Sequence, residues 1–463
     1  MTTRPNAISA ISPYGGNPTM RALTLLRIVL ATAVLAGVTS RPATAGGFKT
    51  GEMVDKDSWQ KAEGLLPPEI LRHYKDGEYA NKFVDWPASK TFIPPDFKAA
   101  TDANEGKFTT GPDGGLLEKA TGTQPTYILG LPFPTIDEKD PAAGVKIVWN
   151  MFYRSWYFGN IVAESQVLWV NPTGLERRAD IQASFAYSDG VPRDEMPESN
   201  PHNFLYRQLA LVLGPADLNG TAALTWRYRD PGTRDSNWAY VPALRRVRQT
   251  TPANRSDGFL GSDTSQDDGQ FFDGKVEDFT WKLVGQTDQL RISEETNLKG
   301  EAKNRWVDGK GWDVEWPNVP FVGFMDPSWK GIAWAPTGAA TLSQRRFWVV
   351  EGVPRDTYYL FGKIQLYIDA LGYQGAWNRK FGWKGELLAI HQVMSWNPLP
   401  FTRPTGKVDY NQGSNQAYQT VENLKMNRAT VAGIKSSPTA GFYLRGAVKP
   451  ALYDVDGLAR SGK

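Results

Sequence analysis

The histidines are the first residues to examine for catalysis, because imidazole is the commonest proton carrier near neutral pH. There are only three, His73, His202 and His391, and they lie far apart without an H-x-H, H-x-E or H-E-x-x-H spacing. The chain also has no Gly-x-Ser-x-Gly elbow, no phosphate-binding glycine loop and no cysteine. We therefore expect no catalytic residue, no metal and no cofactor, and no enzymatic activity.

His391 is the histidine with the most informative surroundings. It alternates with Leu387, Ala389 and Val393, which predicts a place on an apolar face of a strand. Two interpretations stay open at this point. One is a buried histidine with satisfied hydrogen bonds, and the other is a functional proton carrier or ligand.

The densest acidic cluster lies in the middle of the chain. It consists of Asp257, Asp263, Asp267, Asp268, Asp273 and Glu277. Oxygen-rich loops with glycine can hold calcium, but this spacing does not match an EF-hand loop. We expect a solvated loop face, and calcium binding between Asp263 and Asp273 is left open.

A basic cluster, Arg245, Arg246 and Arg248, follows the segment Trp238–Pro242. In a strand, Arg246 and Arg248 share a face and Arg245 lies opposite. The cluster can line a rim that meets an anionic headgroup or an acidic partner surface, or it can be an exposed strand face with ion pairs. Nucleic acid is excluded as a partner, since that would require many more cations.

Aromatic residues are abundant, with 17 Trp, 18 Tyr and 21 Phe. Several alternate on one face of predicted strands, as in Leu224, Trp226 and Tyr228. Core packing explains most of them, but such faces also suit a hydrophobic ligand or a stacked sugar. Residue type alone does not separate these alternatives.

The elements that must position these residues are mainly strands. An amphipathic helix is predicted over residues 140–156, and period-two runs separated by turn signals follow it. The predicted strands are 161–170, 177–187, 206–213, 221–229, 238–242, 277–285, 345–352, 358–369 and 386–396. Because helical patterns between them are scarce, we expect one large, curved, largely antiparallel sheet.

Other parts of the chain show turn residues and prolines. Residues 46–125 are predicted to be an extension with short helices at 57–64 and 68–75, anchored on the body by Trp59, Tyr74 and Trp86. Residues 94–115, 250–268 and 403–415 are predicted to be loops or lids, and the end of the chain an irregular tail.

The charge distribution indicates an export leader. All four charged residues among the first 45 are arginines, and an apolar run at residues 28–38 precedes the small-x-small pattern Ala43-Thr44-Ala45. Without these four, 48 basic residues face 49 acidic ones, a formal net charge of −1. We expect residues 1–45 to be a signal peptide, and the mature chain to be an exported, soluble protein of a Gram-negative periplasm.

Two stretches resemble a known superfamily. The segment 213–224 contains a Gly-Pro-Ala-Asp-Leu-Asn-Gly turn, and 238–248 has the form Trp-x-Tyr-x-Pro-x-x-x-Arg-Val-Arg. Together they resemble the LolA/LolB superfamily of outer-membrane lipoprotein-sorting proteins. Further landmarks, among them Leu131–Pro134 and Trp281–Gly285, make the chain similar to a proteobacterial family of unknown function.

The resemblance implies a fold and a role. The fold is a mainly β (α+β) curved antiparallel half-barrel, here over residues 126–463, closed by helices and loops around an apolar cavity. The role is that of a non-enzymatic periplasmic carrier of a lipid or another hydrophobic small molecule, working with an RND-superfamily exporter of the inner membrane, with peripheral membrane contact. The alternative is a glycan-binding or glycan-processing envelope protein.

The candidate site follows from this interpretation. The residues expected to line the cavity are Trp226, Tyr228, Trp238, Tyr240, Phe279 and Trp281. Arg245, Arg246 and Arg248 are expected at its rim, toward a headgroup or a partner.

Overall fold

The structure is a computed structural model. It describes residues 47–86, 93–197, 199–269, 271–294, 304–314, 340–394, 398–412, 418–435 and 440–462. The helices are α1 Pro68–Lys75, α2 Pro95–Ala103, α3 Ala143–Trp156 and α4 Val455–Ser461. The predicted leader, residues 1–45, lies outside the described residues. No helix in the described ranges is both long and apolar enough to cross a bilayer.

Strands make up most of the described chain. In the first half they are β1 Met53–Val54, β2 Asn81–Phe83, β3 Phe108–Thr110, β4 Leu116–Glu118, β5 Ile161–Asn171, β6 Gly174–Tyr187, β7 Phe204–Gly214, β8 Ala222–Tyr228, β9 Ser236–Val241, β10 Arg246–Thr250 and β11 Phe279–Glu294. In the second half they are β12 Asn304–Val307, β13 Gly311–Val314, β14 Ala340–Pro354, β15 Lys363–Asp369, β16 Gly375–Phe381, β17 Leu387–Met394, β18 Pro398–Thr402, β19 Val408–Gln412, β20 Tyr418–Asn423, β21 Arg428–Lys435 and β22 Phe442–Leu444.

One sheet of 18 strands forms the body. Its main path runs through antiparallel pairs in the order β10, β9, β8, β7, β6, β5, β21, β20, β17, β16, β15, β14 and β11. A short branch of β22, β13 and β12 pairs with the start of β5, and β2 joins β14 in a parallel pair. The predicted fold class, mainly β with one large and largely antiparallel sheet, is confirmed.

The two faces of this sheet carry different covers. Helix α3 and the covering segment, residues 251–269 and 271–278, lie on one face, which we call the inner face. Helix α4 and α1 lie on the other, which we call the outer face. Strand β8 shows both: Thr225 and Arg227 contact the covering segment, whereas Leu224 belongs to a hydrophobic cluster with Leu458 of α4.

Helix α3 is buried on almost its whole surface, because the covering segment and the sheet enclose it. Trp156 contacts Tyr187 and Tyr206 on the sheet, and Phe152 contacts Phe272 of the covering segment. Gly144 is required at the contact with β11, since a Cβ atom there would lie 2.8 Å from the backbone nitrogen of Leu283.

Helix α1 of the N-terminal extension packs against the outer face, whereas α2 and the β3–β4 hairpin contact α3 and the residue that follows it. Tyr74 of α1 is fully buried, Trp59 packs partly buried against the core, and the guanidinium of Arg345 lies 4.6 Å from the ring centre of Trp86. His73 is also fully buried, with Nδ1 2.5 Å from Glu78 and Nε2 2.8 Å from Glu422 of β20. Residues of α1 are thus tied to the central strands by a charged hydrogen-bond pair.

Several sequence predictions of local structure need correction. Residues 95–103, predicted to be loop, form α2, because Pro95 at the first helical position and Asp96 in the first turn favour a helix that buries Phe97. Within the predicted loop 403–415, Val408–Gln412 is strand β19 in a separate hairpin with β18. The expected irregular tail ends in α4, where the Asp454 side chain caps the helix by accepting from the Gly457 amide.

A pH-dependent contribution from His73 follows from its contacts. Burial alone would lower the pKa of His73, but the carboxylates of Glu422 and Glu78 outweigh it and raise this pKa from 6.5 to about 9. A raised folded-state pKa stabilises the fold fully below pH 6.5, and the contribution disappears as pH rises through 9. The expected size of the contribution is about 3 kcal/mol.

We therefore predict that His73→Gln lowers the free energy of unfolding at pH 6 and removes the part of its decline that occurs between pH 6.5 and 9. Urea unfolding of both proteins at a series of pH values measures the difference. Parallel stability profiles for the two proteins would contradict the proposed role of this ion pair.

Candidate functional site

A row of alanines crosses the inner face of the sheet. Each member pairs with the next across neighbouring strands, from β9 to β5, in the order Ala239, Ala223, Ala210, Ala183 and Ala163. The first four are only partly covered. The small side chains leave a shallow track on a face that is otherwise filled by larger residues.

A cavity of about 120 Å³ lies over the centre of this alanine row, between the sheet and the covering segment. Its apolar lining comes from Val167, Ile181, Ala183, Phe185, Ala210, Ala223, Phe259 and Ala432. Its polar lining comes from Ser165, Gln208, Thr225, Ser262, Thr264, Ser265, Gln266 and Gln419, and Gly269 and Gly433 complete the wall. For comparison, a cavity of roughly 150 Å³ is large enough to bind benzene.

The covering segment is held on the sheet by buried ion pairs, beginning with Arg227 of β8. Its guanidinium binds Asp235 at 2.6 Å and donates to the backbone carbonyl of Asp273 at 2.7 Å. All three side chains are buried. Although burial opposes ionisation, the guanidinium groups of Arg227 and Arg255 lower the pKa of Asp235.

Arg255 makes the second half of this arrangement from within the covering segment. It binds Asp267 at 2.8 Å and the carboxylate of Asp273 at 3.1 Å, and it donates to the Thr225 hydroxyl at 3.2 Å. Tyr206 of β7 donates to Asp273 at 2.7 Å. We call Arg227, Arg255, Asp235, Asp267 and Asp273 the arginine–aspartate network.

Asp268 anchors the segment at a second point. It forms an ion pair with Lys380 of β16 and accepts from the Ser265 hydroxyl at 3.0 Å. Burial opposes its ionisation, but the Lys380 ammonium group lowers the pKa of Asp268. His391 of β17 lies 3.5 Å from the same carboxylate, and its Nε2 is 3.1 Å from the Gln419 side-chain oxygen.

The interpretation of His391 as a buried sheet histidine fits these contacts. Its side chain is fully buried, and burial lowers its pKa to about 4, so the imidazole is neutral at pH 7. A neutral ring hydrogen-bonded to Gln419 positions that glutamine at the cavity wall.

The prediction of a solvated acidic loop face is wrong for five of its six residues. Asp267, Asp268, Asp273 and Glu277 are at most 5% exposed, and the Asp263 side chain is 2% exposed. The three aspartates each meet a buried cation, which is the physical reason why the segment can fold inward. Within the described part of the chain, no group of three or more acidic or histidine side chains is arranged to hold a metal ion.

Asp263 lies near the middle of the covering segment and Glu277 lies at its C-terminal end. Asp263 binds Arg428 of β21 at 2.9 Å and Asn423 of β20 at 2.8 Å, so it clamps the segment beside the cavity. Glu277 is buried with neither carboxylate oxygen hydrogen-bonded. Burial raises the pKa of Glu277 from 4.5 to about 7.

The six aromatic residues predicted to line a cavity fall into two separate groups. Trp226, Tyr228, Trp238 and Tyr240 lie on the outer face, where the rings of Trp226 and Trp238 are 4.6 Å apart and the Trp226 indole donates to the Tyr453 carbonyl. Phe279 and Trp281 contact Phe272 of the covering segment. None of the six lines the cavity over the alanine row, and their role in ligand binding stays a prediction.

The three predicted rim arginines lie together at the edge of the sheet. Arg245 has a left-handed backbone with φ 49°, immediately before β10, and Arg246 and Arg248 follow in that strand. All three side chains are exposed. Arg248 pairs with Ala239, so it continues the alanine row at its open end.

Sequence reasoning missed both the alanine row and the arginine–aspartate network. Alanines at inward positions of five successive strands were a visible signal, but only the strand register shows that they align. Alternating polar residues such as Thr225, Arg227 and Arg229 are typical of a solvent-facing side of a strand, whereas Arg227 is 2% exposed. Its partners come from a segment that showed no helical or strand period.

Comparison with known proteins places the chain in a family. A family model described as "Protein of unknown function (DUF1329)" matches residues 53–318. This match confirms the resemblance to a family of unknown function that the sequence motifs indicated. No curated protein matches the chain.

Solved structures that are similar to this chain include three bacterial proteins. A DUF1329 family protein from Desulfovibrio piger is 14% identical, with 70% of this chain and 100% of that chain covered and a TM-score of 0.42. An outer membrane lipoprotein-sorting protein domain from Vibrio parahaemolyticus is 14% identical, with 69% of this chain and 100% of that chain covered and a TM-score of 0.43. A LolA superfamily protein from Nitrosomonas europaea is 11% identical, with 66% and 96% covered and a TM-score of 0.36.

We predict that Arg255→Met lowers the free energy of unfolding by about 3 to 5 kcal/mol, because it leaves Asp267 and Asp273 buried without this cation. The matched control is Arg234→Met, which removes an ion pair to Asp356 from an arginine side chain that is 49% exposed. The control is expected to cost less than about 1 kcal/mol. Denaturant unfolding measures both, and equal effects would contradict the special weight given to the network.

Proposed function

We propose that this chain, which belongs to the family "Protein of unknown function (DUF1329)", binds an apolar ligand in the cavity over the alanine row and carries it without catalysing a reaction. The observation that supports this is the partly open cavity of about 120 Å³ between the sheet and a covering segment fixed by buried ion pairs.

The physical basis of binding is the transfer of apolar surface out of water. Each methylene group that enters the cavity contributes about 0.8 kcal/mol, which is about a fourfold gain in affinity. A ligand longer than the cavity can follow the partly covered alanines toward β10, since Ala223 and Ala239 continue the track outward. The site thus suits a slender aliphatic or alicyclic molecule.

The basic edge supports a second part of the proposal. Arg246 and Arg248 are exposed and lie at the end of the alanine row, and no ion pair joins them to the described residues. In this proposal they meet either the emerging end of the ligand or an acidic surface of an envelope partner. An RND-type exporter in the inner membrane is the partner class implied by the family resemblance, and the leader pattern supports a periplasmic location.

The aromatic set predicted from the sequence is the alternative location for the ligand. Trp226 and Trp238 pack edge to face against each other beside α4, so they do not form an open stacking platform. Among the described residues we find no observation that favours glycan binding.

We predict that affinity for 1-alkanols rises about fourfold per added methylene until the cavity is filled, and that Ala210→Phe abolishes most of this gain. Phenylalanine at this position occupies the space that the ligand needs. The matched control is Ala243→Phe, at an exposed alanine of the 3-10 helix Pro242–Leu244. Isothermal titration calorimetry measures both variants.

The outcome that contradicts the proposed site is full binding by Ala210→Phe. If Trp226→Ala or Trp281→Ala then weakens binding instead, the ligand occupies one of the aromatic clusters. A wild-type protein that binds no apolar probe at all contradicts the carrier function itself.

For the basic edge we predict that the double substitution Arg246→Glu with Arg248→Glu abolishes exporter-dependent transport of the ligand in cells, because charge reversal repels an acidic partner. The control is Arg178→Glu with Lys384→Glu, which reverses two exposed charges elsewhere. Unchanged ligand affinity of the purified double variant assigns the effect to partner docking, and reduced affinity assigns it to the ligand. If neither changes, the edge has no role.

A further inference from the structure

We infer that the protein binds the surface of an anionic phospholipid bilayer through one end of its sheet. We call this end the hairpin end, and it consists of residues 171–178, 214–221, 242–246, 355–362, 382–386 and 424–428. The inference goes beyond the proposed function, because none of these residues lines the cavity. It is supported by the strand register, the exposed apolar side chains and the exposed cations of the hairpin end.

The strand register brings six hairpin connections to the same end of the sheet. Along the main path, consecutive connections join β10 with β9, β8 with β7, β6 with β5, β21 with β20, β17 with β16 and β15 with β14. The pairs of Ala429 with Val170 and of Asn423 with Ala389 show that neighbouring connections lie side by side. Successive connections are about 10 Å apart, since each step crosses two strands.

Five of these six connections expose a large apolar side chain. The exposed side chains are Leu175, Leu244, Tyr358, Leu360, Trp383 and Met426, with relative exposures from 44% to 88%. The opposite end of the sheet is formed by the described connections 188–197, 199–203, 229–235 and 370–374. Those connections expose only Leu371 among the large apolar side chains. The asymmetry indicates that the hairpin end meets an apolar environment.

The most exposed aromatic residues of the hairpin end are neighbours. Tyr358 is 88% exposed and Trp383 is 49% exposed. The Trp383 indole donates to the carbonyl of Tyr359 at 3.0 Å, which fixes the tryptophan against the connection that carries Tyr358 and Leu360. Tryptophan and tyrosine favour the boundary between headgroups and hydrocarbon, because each has an apolar ring and a polar tip.

The charge of the hairpin end complements an anionic lipid surface. It carries seven exposed arginines and lysines and three exposed carboxylates, whereas the described connections of the opposite end carry two exposed arginines and two exposed aspartates. None of the seven cations forms an ion pair with a described residue. An anionic bilayer attracts each nearby cation, which contributes about a fivefold gain in affinity.

The arrangement of these groups favours a bilayer over a protein partner. The apolar side chains are on separate connections and alternate with polar residues: Met426 lies between Lys425 and Asn427, and Trp383 precedes Lys384. A stable protein interface buries about 800 Å² on each side, with a continuous apolar core. A fluid bilayer accepts separate apolar tips, while the flanking lysines reach the headgroup phosphates.

A position-specific fluorophore tests this placement. Because the chain has no cysteine, Tyr358→Cys and Leu371→Cys each create a single labelling site. Vesicles of phosphatidylcholine and phosphatidylglycerol in equal amounts are expected to shift the emission of an environment-sensitive label to the blue at position 358. The label at position 371, on the opposite end, is the matched control and is expected to keep its emission in water.

Vesicle sedimentation tests the apolar contribution. The double substitution Tyr358→Ser with Trp383→Ser is expected to lower affinity for the mixed vesicles at least about tenfold, because two rings no longer leave water. The matched control, Leu371→Ser with Val408→Ser, removes two exposed apolar side chains outside the hairpin end and is expected to leave affinity unchanged.

The same assay tests the charge contribution. Lys384→Glu with Lys425→Glu is expected to lower affinity for the mixed vesicles more than about tenfold and to change affinity for pure phosphatidylcholine vesicles much less. The matched control, Lys119→Glu with Lys449→Glu, reverses two exposed charges elsewhere and is expected to retain more of the binding.

Several results would overturn the inference. They are a wild-type protein that does not bind the mixed vesicles, equal emission shifts at positions 358 and 371, and undiminished binding by the aromatic double variant. Self-association in sedimentation velocity that is lost in the aromatic variant, without any vesicle binding, would instead assign the hairpin end to contact between copies. None of these results affects the proposed carrier function, which alkanol titration tests without membranes, and thermal unfolding shows whether each variant keeps its fold.

Discussion

The structure depends on one constraint: aspartates in a segment of short 3-10 helices and turns are buried against a β-sheet, and each must meet a cation there. Arg227 is a cation that the sheet contributes, and Arg255 is a cation that the segment itself contributes. Breaking a buried pair leaves an uncompensated charge, so the segment has few alternative positions. Its position in turn fixes the roof of the cavity, since Phe259, Ser262 and Thr264 belong to the same segment.

The same constraint explains why the cavity does not collapse. Removing large side chains from an interior normally lets the neighbours relax into the space, at least in part. Here the floor is a hydrogen-bonded sheet, so neighbouring side chains cannot move into the space above its alanines. The roof is held at two points, by the ion pair of Asp263 with Arg428 and by that of Asp268 with Lys380. A void between two fixed surfaces is available to a ligand. The charged side chains of these ion pairs are not among the lining residues, and the lining itself carries no ionisable group.

Much of the fold was predictable from local signals, and much of the site was not. Period-two patterns gave nine of the eighteen strands that the described residues form from residue 161 onward, and helical spacing located α3 to within three residues, because these patterns reflect burial on a repeating backbone. The site depends on two properties that a period does not encode. One is register, which aligns Ala183 with Ala210 and Ala223. The other is the partner of a polar residue, since Arg227 in a strand has the same pattern whether it faces water or Asp235.

The most direct test of the central claim, that the alanine row forms the floor of a ligand site, is a crystal structure of the protein with 12-bromo-1-dodecanol. Anomalous scattering locates the bromine atom without any assumption about the rest of the ligand. Our account predicts a bromine peak on the inner face, in the cavity over the alanine row or along the track from Ala223 to Ala239. A bromine peak among Trp226, Trp238 and α4, or beside Trp281, would contradict it.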